Sequence, residues 1–303
     1  MFQTILKGVE MSYIKFLRSL MVLPLLMPVV ASAESPVWKV TKGDEVVYVG
    51  GTIHVLNQND YPLPTVFDTA YQNSQKLVFE VDTEAMNSPQ MQQKMAALMM
   101  NTSGENWLDL LSEMNRKKLT EEVTKLGLPL GQLSAMNPNF AILMIYQMDM
   151  VKKGLVNAEG VEKFYTRQGK KDQKSFGHLE TIEQQLALLS KDPDENFDQD
   201  VGYFLEKMAE TETIWNDLRL AWRTGDFDTL EKLTIDEFKE YPDVYDEFLV
   251  ERNHNWIPQI EAMFDAEGIE FVMVGAAHLV GEDGVLKLLK EKGYLVEPLK
   301  NSQ

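Results

Sequence analysis

The sequence predicts an α/β (α+β) fold, in which a mixed β-sheet is built from the N- and C-terminal segments and a large helical insertion lies between them. Three observations predict it. Apolar runs of strand length stand near the two ends: Val46-Val47-Tyr48-Val49 and Leu77-Val78-Phe79-Glu80-Val81 early, and Phe271-Val272-Met273-Val274 late. Between residues 88 and 265, apolar side chains recur at helical spacing, punctuated by helix start and stop signals. The terminal runs can make one sheet only by pairing with each other, so residues 34–303 read as a single domain.

Residues 1–33 read as a signal peptide. Lys15 and Arg18 form a basic region, residues 20–30 are rich in Leu, Val, Met and Pro, and Ala31-Ser32-Ala33 offers small side chains to a signal peptidase. Cleavage is expected after Ala33, and the expected location is periplasmic or secreted. Met11, just before the basic region, is an alternative start. The apolar run is too short to span a bilayer, and no later stretch approaches 18 uninterrupted apolar residues, so the mature chain is expected to be soluble, without a membrane span. The net charge is −18, and near −20 once the net +2 of Lys7, Glu10, Lys15 and Arg18 is removed. Such a polyanion repels nucleic acid and anionic membrane surfaces. The chain has no cysteine, which excludes thiolate zinc sites and cysteine nucleophiles and leaves His, carboxylate and amide oxygen as metal ligands.

The elements follow in order. Val37-Trp38-Lys39-Val40, a turn at Lys42-Gly43-Asp44 and the run 46–49 predict a β-hairpin, which Gly50 and Gly51 end just before His54. Tyr61-Pro62-Leu63-Pro64 is a loop. The spacing of Val66, Phe67, Ala70 and Tyr71 places a helix from Thr65 to about Asn73, followed by a strand at 77–81. Strand, helix and strand together predict parallel pairing. Ser88 and Pro89 are the cap and first residue of the helical insertion. Gly127, Gly154 and Gly225 stop helices, and Thr181-Ile182-Glu183-Gln184 is a capping box. Residues 194–224 are a long amphipathic stretch with Phe204, Leu205, Met208, Trp215, Leu218 and Trp222 as candidate buried positions. Pro258 is expected to kink a helix that begins near Asp243. A strand at 271–274, a helix from about Val285 to Glu291 and a strand at Tyr294-Leu295-Val296 complete the sheet.

Gly51-Thr52-Ile53-His54 and Gly275-Ala276-Ala277-His278 share one plan: an apolar strand, a Gly at its carboxyl end, two small or apolar residues, then His. The Gly permits a sharp exit or a close backbone approach, and open parallel sheets place ligand sites at that end of their strands. With 18 Gly in the chain, the chance that two of the four His follow Gly at this spacing is roughly 2 %. Glu80 interrupts an apolar strand, where an unpaired carboxylate is costly to bury. A strand neighbouring that of His54 would bring Glu80 to the same edge. Two His and one Glu can hold a divalent ion and leave positions open for water and substrate. Such an ion lowers the pKa of its water to about 7 and polarises a carbonyl. Without metal, one His becomes a general base oriented by Glu80. The plain alternatives are hydrogen-bonded structural histidines and an edge-strand charge. Asp82 reads as a loop cap, His178 as a surface or cap residue, and His254 as exposed. Met91, Met95 and Met99 form a flexible core stripe or an adaptable groove. Trp222 reads as core, with Arg223 and Asp226 tying a helix end. No His-Glu-x-x-His, Gly-x-Ser-x-Gly or phosphate loop is present.

Several ordered blocks resemble the TraB/GumN family, which includes the TIKI-type metalloproteases. They are Tyr48-Val49-Gly50-Gly51-Thr52-Ile53-His54, Leu77-Val78-Phe79-Glu80-Val81-Asp82, Asn137-Pro138, Glu159-Gly160-Val161-Glu162, Leu179-Glu180-Thr181 with Gln184-Gln185-Leu186, Ala221-Trp222-Arg223-Thr224-Gly225-Asp226, Glu251-Arg252-Asn253 with Trp256, and Val274-Gly275-Ala276-Ala277-His278. The resemblance implies a site built from His54, His278 and Glu80, metal-dependent in the metalloprotease members, with manganese or cobalt as the usual ions; zinc also suits these ligands. It implies that Arg252 and Asn253 face that site, where Arg stabilises an oxyanion and Asn orients water or a ligand; a surface ion pair of Arg252 with Asp246 or Glu247 is the plain alternative. Two positions depart from the family pattern, Glu162 where relatives often carry Asp and Asn139 where they often carry Trp. Both are expected to lie away from the core site and to bear on groove shape. The functional expectation is an exported metal-dependent hydrolase, protease- or peptidase-like, acting on a peptide or other small amide or ester. The alternative is a non-catalytic protein that sequesters a peptide signal, a metal or haem.

Overall fold

Strands β1 (Val37–Lys42) and β2 (Glu45–Thr52) form the expected hairpin. Lys42 pairs with Glu45 across it, and Gly43 takes a left-handed φ of 62° that a two-residue turn requires. The computed structural model describes residues 35–191, 193, 195–239 and 242–300; the expected signal peptide and its cleavage site lie outside the described residues. After β3 (Val55–Leu56), helix α1 (Thr65–Asn73) buries Val66, Phe67, Ala70 and Tyr71, the four residues whose spacing predicts it. Strand β4 (Lys76–Phe79) follows, two residues shorter at its end than the sequence suggests, so that Glu80 stands just past the strand instead of within it.

The insertion contains α2 (Pro89–Met99), α3 (Glu113–Leu126), α4 (Leu130–Leu133), α5 (Pro138–Lys152), β5 (Ala158–Glu159), α6 (Val161–Lys171), β6 (Ser175–His178), α7 (Ile182–Leu189), α8 (Phe197–Met208), α9 (Thr211–Thr224), α10 (Phe227–Lys239), α11 (Pro242–Tyr245) and α12 (Glu251–Met263). The cap signals hold. The Ser88 hydroxyl accepts from the Met91 N–H, Thr181 and Gln184 close a capping box, and Gly127, Gly154 and Gly225 have φ near 70°. The amphipathic stretch 194–224 divides into α8 and α9 at Ala209-Glu210. Leu205, Met208 and Trp222 are buried as expected, while Phe204, Trp215 and Leu218 are half-buried. Pro258 lies inside α12 without ending it, and a π-helical turn at Asp246–Val250 leads into that helix. Strand β6 has no signature in the sequence. Its four residues include Gly177 and lack any alternation, yet they add a parallel strand beside β4.

Strands β7 (Glu270–Gly275) and β8 (Leu295–Pro298), with α13 (Val285–Glu291) between them, complete a six-stranded mixed sheet ordered β6-β4-β7-β2-β1-β8. The ends of the chain do pair, β8 with β1 and β7 with β2. β2 and β4 run parallel, as strand–helix–strand predicts, but β7 lies between them and pairs with both. Four adjacent strands, β6, β4, β7 and β2, are therefore parallel, and their carboxyl ends share one edge. β7 is buried on both faces, and Phe271 packs against Phe67 and Tyr165 from α1 and α6. A separate apolar cluster of Trp107, Leu119, Ile145, Phe197 and Val201 holds the helical part together. Among the described residues, no helix is long and apolar enough to cross a membrane.

Candidate functional site

Each of the four parallel strands delivers one polar side chain just beyond its carboxyl end: Glu180 after β6, Glu80 after β4, His278 after β7 and His54 after β2. Backbone pairing continues past the strands, with the Glu180 N–H donating to the Glu80 carbonyl at 2.8 Å. This fixes the spacing of the two carboxylates. His278 follows on a 3-10 turn, Ala276–Leu279, directly after Gly275.

Gly275 is the meeting point. A methyl built on its α-carbon would stand 3.3 Å from Glu80 Oε1, 3.6 Å from His278 Cδ2 and 3.8 Å from His54 Nε2. The three residues singled out in the sequence thus surround a hollow that any side chain at 275 would fill. Arg252 and Asn253, on the first turn of α12, join them. Arg252 Nη2 donates to Glu80 Oε2 at 2.7 Å, and Nε and Nη2 donate to the Glu180 carboxylate at 2.8 and 3.1 Å. Nη1 contacts His278 Nε2 at 3.0 Å and the Phe248 carbonyl at 3.0 Å. The π-helical turn supplies that carbonyl. The partners of Arg252 are these, not Asp246 or Glu247; Glu247 pairs with Lys191.

The hydrogen bonds fix the tautomer of His278. Arginine has no acceptor, so His278 Nε2 must offer its lone pair to Nη1, and Nδ1–H donates to Asn253 Oδ1 at 2.7 Å. Asn253 Nδ2 in turn donates to the Asp283 carbonyl at 2.8 Å. Burial pushes the His278 pKa down to about 3, because charging an imbedded ring beside the Arg252 cation is costly. Burial raises the Glu80 carboxyl. The surrounding imidazoles, the Arg252 cation and the Gly275 N–H, which donates to Oε1 at 2.6 Å, outweigh it and hold the group well below the usual carboxylate range. With His278 neutral, the cation and the N–H donors keep Glu80 ionised. Gln185 Nε2 adds a third donor to the carboxylate at 2.9 Å.

His54 differs from its twin. Its side chain is 67 % exposed, whereas His278 is 5 % exposed. The Glu162 carboxylate accepts from Nδ1 at 2.8 Å and raises the pKa of His54 above its usual value, although ring atoms open to water soften that attraction. Glu162 also accepts from the Thr52 hydroxyl. This corrects the expectation that Glu162 lies away from the core site: it holds one of the two histidines directly. Asn139, the other departure, does line a neighbouring cavity. Glu180 and Gln185 also belong to the cluster, although the sequence alone gives them no role. Their signal was their place in blocks with no apolar or cap duty.

The remaining candidates settle as structure. Asp82 accepts from the Glu84 and Ala85 N–H groups as a loop cap. His178 and His254 are exposed. Trp222 is fully buried, donating to the Gly51 carbonyl at 2.7 Å, and Arg223 ties α9 to the Asp60 and Pro62 carbonyls. Met91, Met95 and Met99 pack on a small cluster of Val81, Phe140, Ile182 and Leu186.

The cluster forms the floor of an open cleft of about 410 Å³, walled by Leu188, Leu189, Trp215, Leu218, Leu230 and Phe248 among others. As the side chains stand, no group of three His, Asp or Glu among the described residues is arranged around a metal ion, since Arg252 lies on both Glu80 and His278. The donor types nevertheless suit a divalent ion: two imidazoles and a carboxylate around one hollow, each imidazole with its far nitrogen fixed by an oxygen partner.

No solved structure matches the chain. The chain is 25 % identical over 256 residues to the "Uncharacterized protein YbaP" of Escherichia coli (strain K12), which covers 82 % of this chain and 89 % of that one, and it matches the protein of the same name from Shigella flexneri to the same extent. A sequence model of the TraB/PrgY/gumN family matches residues 36–298. That span runs through the whole sheet and carries every residue of the cluster, and the chain belongs to the TraB/PrgY/gumN family.

Proposed function

We propose that this cleft hydrolyses an amide or ester bond of a peptide or other small acyl substrate, outside the cytoplasm. The observation that carries the reading is the convergence of His54, Glu80 and His278 on the Gly275 α-carbon at the floor of an open cleft. His54 is the base. Glu162 holds Nδ1–H, which leaves Nε2 for the cleft, and the carboxylate steadies the imidazolium formed when Nε2 takes a proton from water. The water oxygen adds to the carbonyl carbon. The Arg252 guanidinium lines the cleft with its N–H groups engaged by Glu80, Glu180, Phe248 and His278, and it stabilises the oxyanion through its charge. The proton on His54 passes to the leaving nitrogen or oxygen as the bond breaks. Glu80 and Glu180 hold Arg252 in place throughout, and neutral His278 contributes a lone pair without adding a second positive charge.

If a divalent ion binds, His54, Glu80 and His278 would hold it, with Glu162 and Asn253 orienting the imidazoles; His54 Nε2 would then be a ligand and not the base, and Arg252 would have to leave His278 Nε2. Bound there, manganese, cobalt or zinc would supply Lewis-acid polarisation of the carbonyl and of water. The test is to incubate purified residues 34–303 with a fluorogenic peptide pool, with manganese and with chelator, beside His54→Ala. Cleavage lost in His54→Ala supports hydrolysis, and loss with chelator assigns the ion. Saturable binding with no product under either condition overturns hydrolysis in favour of sequestration.

A further inference from the structure

Trp215 carries a signal that the chemistry above does not use. Its indole Nε1 is buried and has no hydrogen-bond partner among the described residues. Three other indoles do have partners: Trp107 donates to the Leu133 carbonyl, Trp222 to the Gly51 carbonyl and Trp256 to Glu180. A buried N–H without an acceptor is rare and costs roughly 1–3 kcal/mol, so it is kept where something else satisfies it. Trp215 lines the same cleft as His54, Glu80 and His278, and the walls around it are apolar, Leu218, Leu230 and Leu249 among them.

The cleft does not end there. A second cavity of about 580 Å³ adjoins it, lined by Ile142, Leu143, Tyr146, Val201 and Phe204. Leu188, Leu189 and Phe248 line both cavities and form their common wall. Leu188 and Phe248 are half-buried and belong to none of the core clusters. Apolar side chains left half open outside the core clusters, beside a reactive cluster, are available to an apolar group of a ligand.

We propose that Trp215 is a specificity-determining residue of this site, and that the substrate is an acyl or peptide chain carrying bulky apolar groups. A substrate carbonyl accepts the Trp215 N–H. One apolar group packs on Leu218 and Leu230, and the next passes Leu188 and Phe248 toward the second cavity. This rests on the cleft being a substrate site, as proposed above. It adds the substrate class, and it does not depend on which group acts as base.

Binding is the readout that separates the two claims. Protein labelled with ¹⁵N-tryptophan has five indole signals, one per tryptophan, and Trp215→Phe identifies the one for Trp215. The probes are the blocked dipeptide amides N-acetyl-Leu-Leu-NH₂ and N-acetyl-Ser-Ser-NH₂, titrated into wild type and into the His54→Ala/His278→Ala variant. The Trp215 signal is expected to move with the leucine probe and not the serine probe in both proteins. Affinity for the leucine probe should fall roughly tenfold in Trp215→Phe, and further in Leu188→Asp. An unmoved Trp215 signal, or equal affinity for the two probes, overturns the proposal. A moving signal in a wild-type protein that yields no cleavage products anywhere would leave this assignment standing and sink hydrolysis instead. If Trp215→Phe does not fold, the affinities of the two probes for wild type and for Leu188→Asp decide the matter, since they need no assigned signal.

Discussion

Gly160 places the chain that carries His54, and Gly160→Ala is the sharpest structural perturbation of the site that leaves its chemistry untouched. Strands β3 and β5 pair Val55 with Glu159 and Leu56 with Ala158, which lays Gly160 directly on the His54 peptide. A methyl at 160 would sit 2.7 Å from the Ile53 carbonyl oxygen and nearer still to the carbonyl of His54. A relaxed carbon contact needs about 3.5 Å, so the two segments must part by at least about 0.8 Å. The obstacles are backbone atoms, which cannot rotate away. Separation strains the Val161 N–H bond to the Ile53 carbonyl, 3.2 Å now, and pulls Glu162 from His54 Nδ1. Overpacking of this kind costs about 1–3 kcal/mol, and a displacement near 1 Å at a reacting group costs up to about a hundredfold in rate. Urea denaturation followed by circular dichroism reads the first, and cleavage of the peptide pool reads the second. Gly131→Ala is the control, since a methyl there meets nothing within 4 Å, and it should be neutral or slightly stabilising. Gly160→Ala with unaltered stability and rate would refute the packing argument.

Other changes test other parts of the cluster. Arg252→Ala strands Glu80 and Glu180 in a buried setting without their cation and should cost about 3–5 kcal/mol by denaturant unfolding. Arg252→Lys should recover less than half of that, because a single ammonium cannot reach Glu80, Glu180 and His278 together; full recovery would show that charge alone matters. Glu270, far from the site at the start of β7, has one carboxylate oxygen buried without a partner among the described residues and Lys76 Nζ 3.8 Å from the other. Burial raises its pKa above the ordinary 4.5. The unfolded chain therefore loses that proton first, and stability present below pH 4.5 is lost as pH rises through the folded value. Glu270→Gln should raise the neutral-pH stability by about 1 kcal/mol and flatten the melting temperature between pH 4.5 and 7; a variant as pH-sensitive as wild type would contradict this.

What the sequence revealed, and what it hid, divides along one physical line. The two Gly-x-x-His motifs were legible because strand, Gly and His are contiguous, and because a His just past a strand end must stand at the sheet edge. Helix α1 and the caps at Ser88 and Thr181 were legible because they too depend on residues within a turn of each other. The wedging of β7 between β2 and β4 was not, since no local pattern encodes strand order. β6 was hidden because Ser175-Phe176-Gly177-His178 is a short edge strand that alternates nothing, and its place in the sheet comes from pairing with β4. Glu162, Glu180 and Gln185 come from the helical insertion and meet the histidines and Glu80 only in three dimensions. Glu162 was visible as a departure from a family pattern, and its contact with His54 appears once β5, just before α6, pairs with β3.

The claim on which the rest depends is that His54 and His278, more than two hundred residues apart, act as one unit. A double-mutant cycle on peptide-pool cleavage measures this directly, using His54→Ala, His278→Ala and both together. Groups that share one reaction step lose their effect together. Each single change should cost at least about a hundredfold, and the double variant should be no slower than the worse of the two. Losses that multiply would place the two histidines in independent roles and contradict the shared site.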